Sequence, residues 1–420
     1  MTAFTRLLQR AGLRLFSTFS MSLKTRVLPC EPSSITFGND VPQVSDPQTL
    51  EALHAAAANL HAQQTVAFPT ETVYGLGALA LDATASARIF STKGRPPDNP
   101  LIVHVSSIAM LQRLLPASYT MSPTYEVLIK HFWPGPLTLL FPTEPSLIPP
   151  IITAKQPTVA IRMPSHPVAR ALIAIADAPV AAPSANSSGK PSPTRAEHVR
   201  RDLDGKIELI LDGGACGVGL ESTVVDGLQP DGNLRVLRPG GVTVEDLERV
   251  LGEHLDKSLP RPKVLVHRRD YRDEAMEQAP TTPGMKYRHY SPAVPVMLMH
   301  TTSAPPVHTT RVSVSSLVES MKKRFKNTIP AKIGLLTPSD SPLLQKLSAL
   351  SGIEWHTYEL GPLADPAVTA QRLFDGLLTL EQEGVDMMLI EEIKEEREGL
   401  AVMNRVKKAA GESVWLDTSR

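Results

Sequence analysis

The chain has 420 residues, room for about two or three domains at roughly 150 residues each. Lysine plus arginine and aspartate plus glutamate each number 43, so the net charge is zero, which excludes a wholesale nucleic-acid coat and leaves only local basic patches. Two cysteines, Cys30 and Cys216, cannot build a disulfide framework or a thiolate zinc site, and no stretch reaches the ~18 apolar residues of a membrane span.

Residues 1–30 stand apart. They carry Arg6, Arg10, Arg14, Lys24 and Arg26, with no acid before Glu31, and leucines interleave with the arginines ahead of Ser17, Thr18 and Ser20. That pattern reads as a mitochondrial presequence or a disordered basic tail, and Met21 offers a start for a shorter, cytoplasmic form. Next, Asp46 reads as the N-cap of a helix over 47–62, and a short strand over 66–68 stops at Pro69. Further helices are expected over 83–91, near 111–114, over 168–175 and over 244–251. Strands are expected over 100–105, 137–141, 159–161, 179–182, 207–211, 222–226 and 234–237. Strands and helices that mix without strict alternation point to a mixed-sheet α/β domain from about 45 to 255. A charged, proline-rich linker follows over 256–292. After it, strands over 294–299, 333–337, 355–358 and 387–391 alternate with helices over 314–325, 341–350, 366–383 and 399–410. Regular alternation predicts a smaller, parallel, Rossmann-like domain over 293–420.

Five segments of the first domain gather small, hydroxyl, amide and cationic residues at strand ends, where a rigid scaffold aims side chains into a crevice. They are Pro69-Thr70-Glu71-Thr72-Val73-Tyr74-Gly75-Leu76-Gly77, Lys93-Gly94-Arg95-Pro96-Pro97-Asp98-Asn99-Pro100-Leu101-Ile102-Val103-His104, Val159-Ala160-Ile161-Arg162-Met163-Pro164, Ala182-Pro183-Ser184-Ala185-Asn186-Ser187-Ser188-Gly189-Lys190-Pro191-Ser192, and Glu221-Ser222-Thr223-Val224-Val225-Asp226 with Arg238-Pro239-Gly240. Lys93 and Arg95 flank a glycine in a proline-stiffened loop. Two cations held that way suit polyphosphate, because charge-assisted hydrogen bonds are about twice as strong as neutral ones. Taken singly, Lys-Gly-Arg reads as a solvated turn, the serine-rich stretch as a flexible loop, and His104 as a core histidine. Their co-occurrence in one domain is what points to a site. Rival motifs are weak. Gly75-Leu76-Gly77-Ala78-Leu79-Ala80 fits a dinucleotide fingerprint, but Pro69 and two threonines precede it and Ala80-Leu81-Asp82 opens no clear helix. Ser187 and Lys190 lack the partners of an acylating serine, and no histidine pair has zinc-binding spacing. An RNA-binding module is the alternative reading, but with only 5% aromatic residues no stacking platform forms.

In this order, the five segments resemble the YrdC-like family of threonylcarbamoyl-AMP synthases, and the linker Pro283-Gly284-Met285-Lys286-Tyr287-Arg288-His289-Tyr290-Ser291-Pro292 with the domain behind it resembles the family's longer, two-domain branch. The resemblance implies that L-threonine and bicarbonate give a carbamate whose oxygen attacks the α-phosphate of ATP. The products are L-threonylcarbamoyladenylate and pyrophosphate, and a downstream transferase complex carries the threonylcarbamoyl group to tRNA beside the anticodon. Mg²⁺ is expected with ATP, with no resident metal. By motif position, Lys93 and Arg95 would stabilise the reacting phosphates. Arg95, Asn99, Thr158, Ser184, Asn186, Ser192, Arg238, His289 and Tyr290 would contact ATP. Thr70, Thr72, His104, Arg162, Ala182, Ser222 and Thr223 would hold threonine, and the linker would close as a lid.

Overall fold

A computed structural model of the chain describes residues 23–278, 280–281, 289–326 and 330–418. The predicted presequence up to residue 22 and linker residues 282–288, including Lys286, Tyr287 and Arg288, lie outside the described residues.

The first domain is built on an eleven-stranded mixed sheet. Its order is Arg26–Pro29, Leu209–Asp212, Val66–Phe68, Gly75–Leu79, Val180–Ala181, Ile102–His104, Thr158–Arg162, Leu137–Pro142, Thr223–Asp226, Leu234–Arg238 and Val264–Val266. Parallel pairs such as Ile102–His104 with Thr158–Arg162 alternate with antiparallel ones such as Leu137–Pro142 with Thr158–Arg162. The inner strands Val66–Phe68, Val180–Ala181, Ile102–His104 and Thr223–Asp226 are buried along their whole length, as strands covered on both faces must be.

The helices have local causes. Pro47–His61 starts where Asp46 accepts from the Thr49 amide at 2.8 Å and proline occupies the first turn, and its alanines and leucines pack Leu53, Ala56 and Leu60 onto the sheet. Ala83–Lys93 is capped by Asp82, which accepts from the Thr84 and Ala85 amides, and it ends at Gly94, whose φ of +62° is the left-handed conformation that favours glycine. That stop places Lys93 on the last helical turn and turns the chain so that Arg95 follows at the start of the loop.

The second domain is a six-stranded parallel sheet in the order Val312–Ser313, Glu412–Asp417, Val296–His300, Met387–Glu391, Ala331–Thr337 and Ile353–Glu359. The helices Val314–Arg324, Pro342–Ser348, Pro366–Gln382 and Glu398–Ala409 connect the strands. The α/β class of both domains, mixed then parallel, agrees with the sequence. The domain edges differ from it. Arg26–Pro29 is an edge strand paired with Leu209–Asp212, so the first domain reaches back into the expected presequence. Val264–Val266, inside the expected linker, adds a strand beside Leu234–Arg238. Gly75–Leu79 is a strand rather than a phosphate-binding turn, so the dinucleotide fingerprint is accidental. Among the described residues no helix is long and apolar enough to cross a membrane.

The two domains share a core. Val73 and Leu220 of the first cluster with Tyr290, Phe374 and Leu377, and the Tyr290 and Phe374 rings lie 5.2 Å apart. Gly219 lies against the backbone of Gln371, where an added Cβ would stand 2.4 Å from the Gln371 Cα. Arg195 donates to Asp375 at 2.7 Å, and the Tyr358 hydroxyl donates to the same carboxylate at 2.6 Å.

Candidate active site

One cleft collects most of the predicted site. Its walls include Thr70, Thr72, Lys93, Arg95, His104, Arg162, Ala182, Ser184, Asn186, Ser192, Ser222, Arg238, His289 and Tyr290. Val73, Gly75, Ile102, Pro183, Ser188, Gly189, Lys190 and Glu221 complete it. Asn99, Thr158 and Thr223 do not line it. Thr223 follows Ser222 on a strand, where successive side chains face opposite sides. Its hydroxyl bonds the Val242 backbone in both directions, donating at 2.5 Å and accepting at 3.0 Å, so Ser222 alone of the pair reaches the cleft. Thr158 begins the strand that Arg162 ends, paired with Pro142 away from the cleft.

The cleft has two chemically distinct ends. At one, Arg162 is buried and fixed on three sides. It donates to the Gly135 carbonyl at 3.2 Å, to the Thr72 hydroxyl at 2.8 Å and to Glu71 at 2.5 Å. Thr70 and Thr72 share a hydrogen bond of 2.8 Å, and the Thr70 hydroxyl also donates to the Val73 carbonyl at 2.6 Å, a turn set by the Pro69-Thr70 sequence. His104 donates from Nδ1 to the Ile102 carbonyl at 3.2 Å. Burial, and then the neighbouring Arg162 charge, push its pKa down to about 3, so it is a neutral imidazole at physiological pH. Ser222 shares a hydrogen bond of 2.7 Å with Thr138. A guanidinium beside several hydroxyls and a neutral imidazole suits a small hydroxylated amino acid.

The other end is cationic. Lys93, Arg95 and Arg238 are all buried. Arg95 donates to the carbonyls of Asn99 and Pro100 at 3.1 and 2.9 Å, which explains why Asn99 and Pro100 sit where they do without touching the cleft. Burial, then the Arg238 charge, lower the Arg95 pKa to about 9. Burial also lowers Lys93, with Arg95 adding to it, and burial lowers Arg238. The Lys93 ammonium bonds the carbonyls of Ser184 and Asn186 and so pins the serine-rich loop. Arg238 holds the Ser222 carbonyl at 3.0 Å and its hydroxyl at 3.2 Å. Glycine follows at 240 because a Cβ there would stand 2.2 Å from the Glu221 carbonyl oxygen. Buried cations that depress one another are under electrostatic pressure that an anion relieves. The buried Asn186 Oδ1, Asn99 Nδ2 and Thr158 Oγ1 have no hydrogen-bond partner among the described residues.

Glu221 is the site residue whose role the sequence did not disclose. It is buried, accepts from the Ser192 hydroxyl at 2.6 Å, and is bonded by Arg405 of the second domain through Nη2 at 2.9 Å and Nε at 3.1 Å. Burial opposes its charge, but Arg405, Arg238 and Ser192 outweigh that and hold its pKa at about 2. Arg405 itself is fully buried, and its guanidinium lies 5.8 Å from the centre of the Tyr290 ring. The linker is tied down here too, since the Ser291 amide donates to the Gly189 carbonyl at 2.9 Å. Among the described residues no group of three or more His, Cys, Asp or Glu side chains could hold a metal ion.

The Sua5/YciO/YrdC family model, described as "Telomere recombination", matches residues 58–240, and the model "Threonylcarbamoyl-AMP synthase, C-terminal domain" matches residues 242–411. The threonylcarbamoyl-AMP synthase of Schizosaccharomyces pombe is 43% identical over 404 residues, covering 91% of this chain and 94% of that protein. That of Bacillus subtilis is 40% identical over 370 residues, covering 87% and 94%. The crystal structure of P. abyssi Sua5 complexed with L-threonine superposes with a TM-score of 0.73 at 36% identity, covering 94% of this chain and 100% of that one. The chain therefore belongs to the Sua5/YciO/YrdC family, in its two-domain threonylcarbamoyl-AMP synthase branch.

Proposed function

We propose that the chain makes L-threonylcarbamoyladenylate and pyrophosphate from L-threonine, bicarbonate or CO₂, and ATP, for N6-threonylcarbamoyladenosine modification of tRNA. The observation that carries this reading is the joining, in one cleft, of a hydroxyl- and guanidinium-lined end to a buried cluster of three cations. An amino acid fits the first and a polyphosphate the second. A buried cluster does not serve an open nucleic-acid surface, which argues against the RNA-binding alternative.

The chemistry asks little of side chains. Threonine carbamate carries its own nucleophilic oxygen. That oxygen forms a bond to the α-phosphorus as the bond to the pyrophosphate oxygen breaks, and no proton has to move. Catalysis then rests on positioning and charge stabilisation. Arg95 and Arg238 neutralise charge on the phosphates, and Lys93 holds the loop that carries Ser184 and Asn186. Arg162 takes the threonine α-carboxylate, while Thr70, Thr72, His104 and Ser222 surround the rest of the amino acid. His289 and Tyr290 cover the nucleotide end. A free carbamate loses CO₂ readily, so a covered site protects it. Mg²⁺ would arrive with ATP as part of that substrate and keep several waters.

The reading is tested by incubating the full chain with ATP, threonine and bicarbonate and analysing the products by mass spectrometry. The adenylate is the expected product, and ADP in its place would contradict the proposal. Substrate choice gives a second result. Serine keeps the hydroxyl and lacks one methyl, a loss worth roughly 1–3 kcal/mol in a fitted pocket, so its kcat/KM should fall about 10–200-fold. Valine should be worse. Equal kcat/KM for valine and threonine would show that the Thr72 and Ser222 hydroxyls read nothing.

The finer assignments belong to the same proposal. A downstream threonylcarbamoyl transferase complex consumes the adenylate. The acid-free residues 1–20 direct a mitochondrial form, and initiation at Met21 gives a cytoplasmic one. A fluorescent fusion of the full reading frame should enter mitochondria and one starting at Met21 should not. Identical distributions would refute the presequence.

A further inference from the structure

The second domain has a crevice of its own. It lies at the carboxyl ends of the parallel strands and encloses about 1470 Å³, including its open mouth. The chain leaves Ala331–Thr337 toward Ile353–Glu359 on one side, and leaves Met387–Glu391 toward Glu412–Asp417 on the other. Those two strands are neighbours, with Leu336 opposite Ile390. Connections that part in opposite directions open a gap above the sheet, and ligands of open α/β sheets bind in that gap.

The crevice has a polar floor and apolar walls. Glu391 closes the strand Met387–Glu391, lines the crevice and is 7% exposed, and its Oε2 has no hydrogen-bond partner among the described residues. Thr301 and Thr302 line the crevice beside it. The next residue, Glu392, is fully engaged. It accepts from the Thr302 and Ser303 amides at 2.5 and 2.7 Å and pairs with His300 at 2.6 Å. Those bonds overcome burial and hold Glu392 at about pKa 2, whereas burial, with the Glu392 and Asp340 charges added, outweighs hydrogen bonds from Ser341 and Thr301 and raises Glu391 to about 7. Two adjacent carboxyls thus have different tasks: one builds the loop, and the other, bonded by Ser341 and Thr301, keeps one oxygen unpaired at the floor of the crevice. Pro342, Leu343, Leu363, Ala364, Pro366 and Ile393 form the walls. Lys394 and Arg397 are exposed on the rim, with Glu396 between them.

The structure assigns this crevice as a second small-molecule site, independent of the first domain's cleft, for a purine nucleoside monophosphate whose base presents N–H donors to Glu391. An apolar slot takes a flat ring, and a buried carboxylate oxygen without a partner needs a donor. Guanine offers a ring N–H and an amino N–H side by side, either of which can donate to the one oxygen of Glu391 that has no partner among the described residues. The rim cations suit a phosphate and disfavour a cationic ligand such as a polyamine. Donors arriving at Glu391 favour its charged form, so binding near pH 7 must release a proton.

The test is isothermal titration of the full chain with GMP at pH 6.5–7, in two buffers of different ionisation enthalpy. GMP should bind with proton release. Glu391→Gln, nearly isosteric, should weaken binding about 10- to 100-fold, the loss expected for hydrogen bonds to a charged group, and should abolish the proton release. Ala364→Trp fills the slot from an exposed loop and should weaken binding comparably without lowering the Tm. Pyrophosphate formation should be unchanged in both variants, since neither residue lies near the first cleft. Failure of GMP to bind, or binding untouched by both substitutions, would overturn the assignment whether or not the synthase reaction is found.

Discussion

Replacing Arg95 by alanine should lower turnover by about 10²–10³-fold, the usual effect of losing one donor to a transition state. The reason is its setting. Arg95 is buried beside Arg238, and its own hydrogen bonds go to the carbonyls of Asn99 and Pro100. Those bonds fix the guanidinium plane, and the burial that lowers its pKa to about 9 strengthens any bond it makes to a phosphate oxygen. At pH 7 it stays charged. Arg95→Lys should recover part of the loss, because an ammonium keeps the charge but not the two-oxygen geometry. Single-turnover rates of pyrophosphate release, with circular dichroism to confirm folding, measure this. Turnover near the wild-type value in a folded Arg95→Ala protein would place the residue on a structural turn.

The second large effect lies outside the catalytic domain. Arg405, on the helix Glu398–Ala409, neutralises Glu221 on the wall of the first cleft. Removing one partner of a buried ion pair costs about 3–5 kcal/mol, because the other charge is left stranded. Arg405→Met should therefore lower the Tm and raise the KM for ATP, since an unpaired carboxylate would face the phosphates. The pH dependence follows in sign. Wild-type Glu221 has its pKa held down to about 2, so it stays ionised throughout the working range. Without Arg405, burial raises that pKa toward neutrality, and protonation at lower pH removes the repulsion. The KM of Arg405→Met should thus fall as pH drops from about 8 to about 6, with no such step in the wild type. Adding Glu221→Gln should restore most of both stability and KM, as Gln keeps an acceptor for Ser192. A double variant as impaired as Arg405→Met alone would show that Arg405 acts through packing rather than charge.

This contact explains what the second domain does for the first. Sequence showed two domains and a linker, and the polar strand ends were legible because hydroxyls, glycines and cations cluster there against a background of apolar strands. The Arg405–Glu221 pair was not legible. Its partners are 184 positions apart, and an arginine on an otherwise amphipathic helix looks like an ordinary solvated residue. Arg26–Pro29 was hidden for a related reason. It is a four-residue edge strand held by its ladder to Leu209–Asp212, inside a stretch whose basic composition points elsewhere. Ser222 and Thr223 carry the same chemistry in sequence, and only the strand's alternation decides which of them faces the cleft. Asn99 stands in a motif with Arg95, yet its backbone carbonyl serves the arginine while its side chain stays off the cleft wall.

The measurement that bears most directly on the whole account is pyrophosphate release by the full chain with each substrate omitted in turn. Two subsites joined in one cleft predict rapid release only when ATP, threonine and bicarbonate are all present, and near-background release when either threonine or bicarbonate is left out. Release that is indifferent to both would contradict the account, because it would mean that the hydroxyl-lined end of the cleft has no part in the reaction.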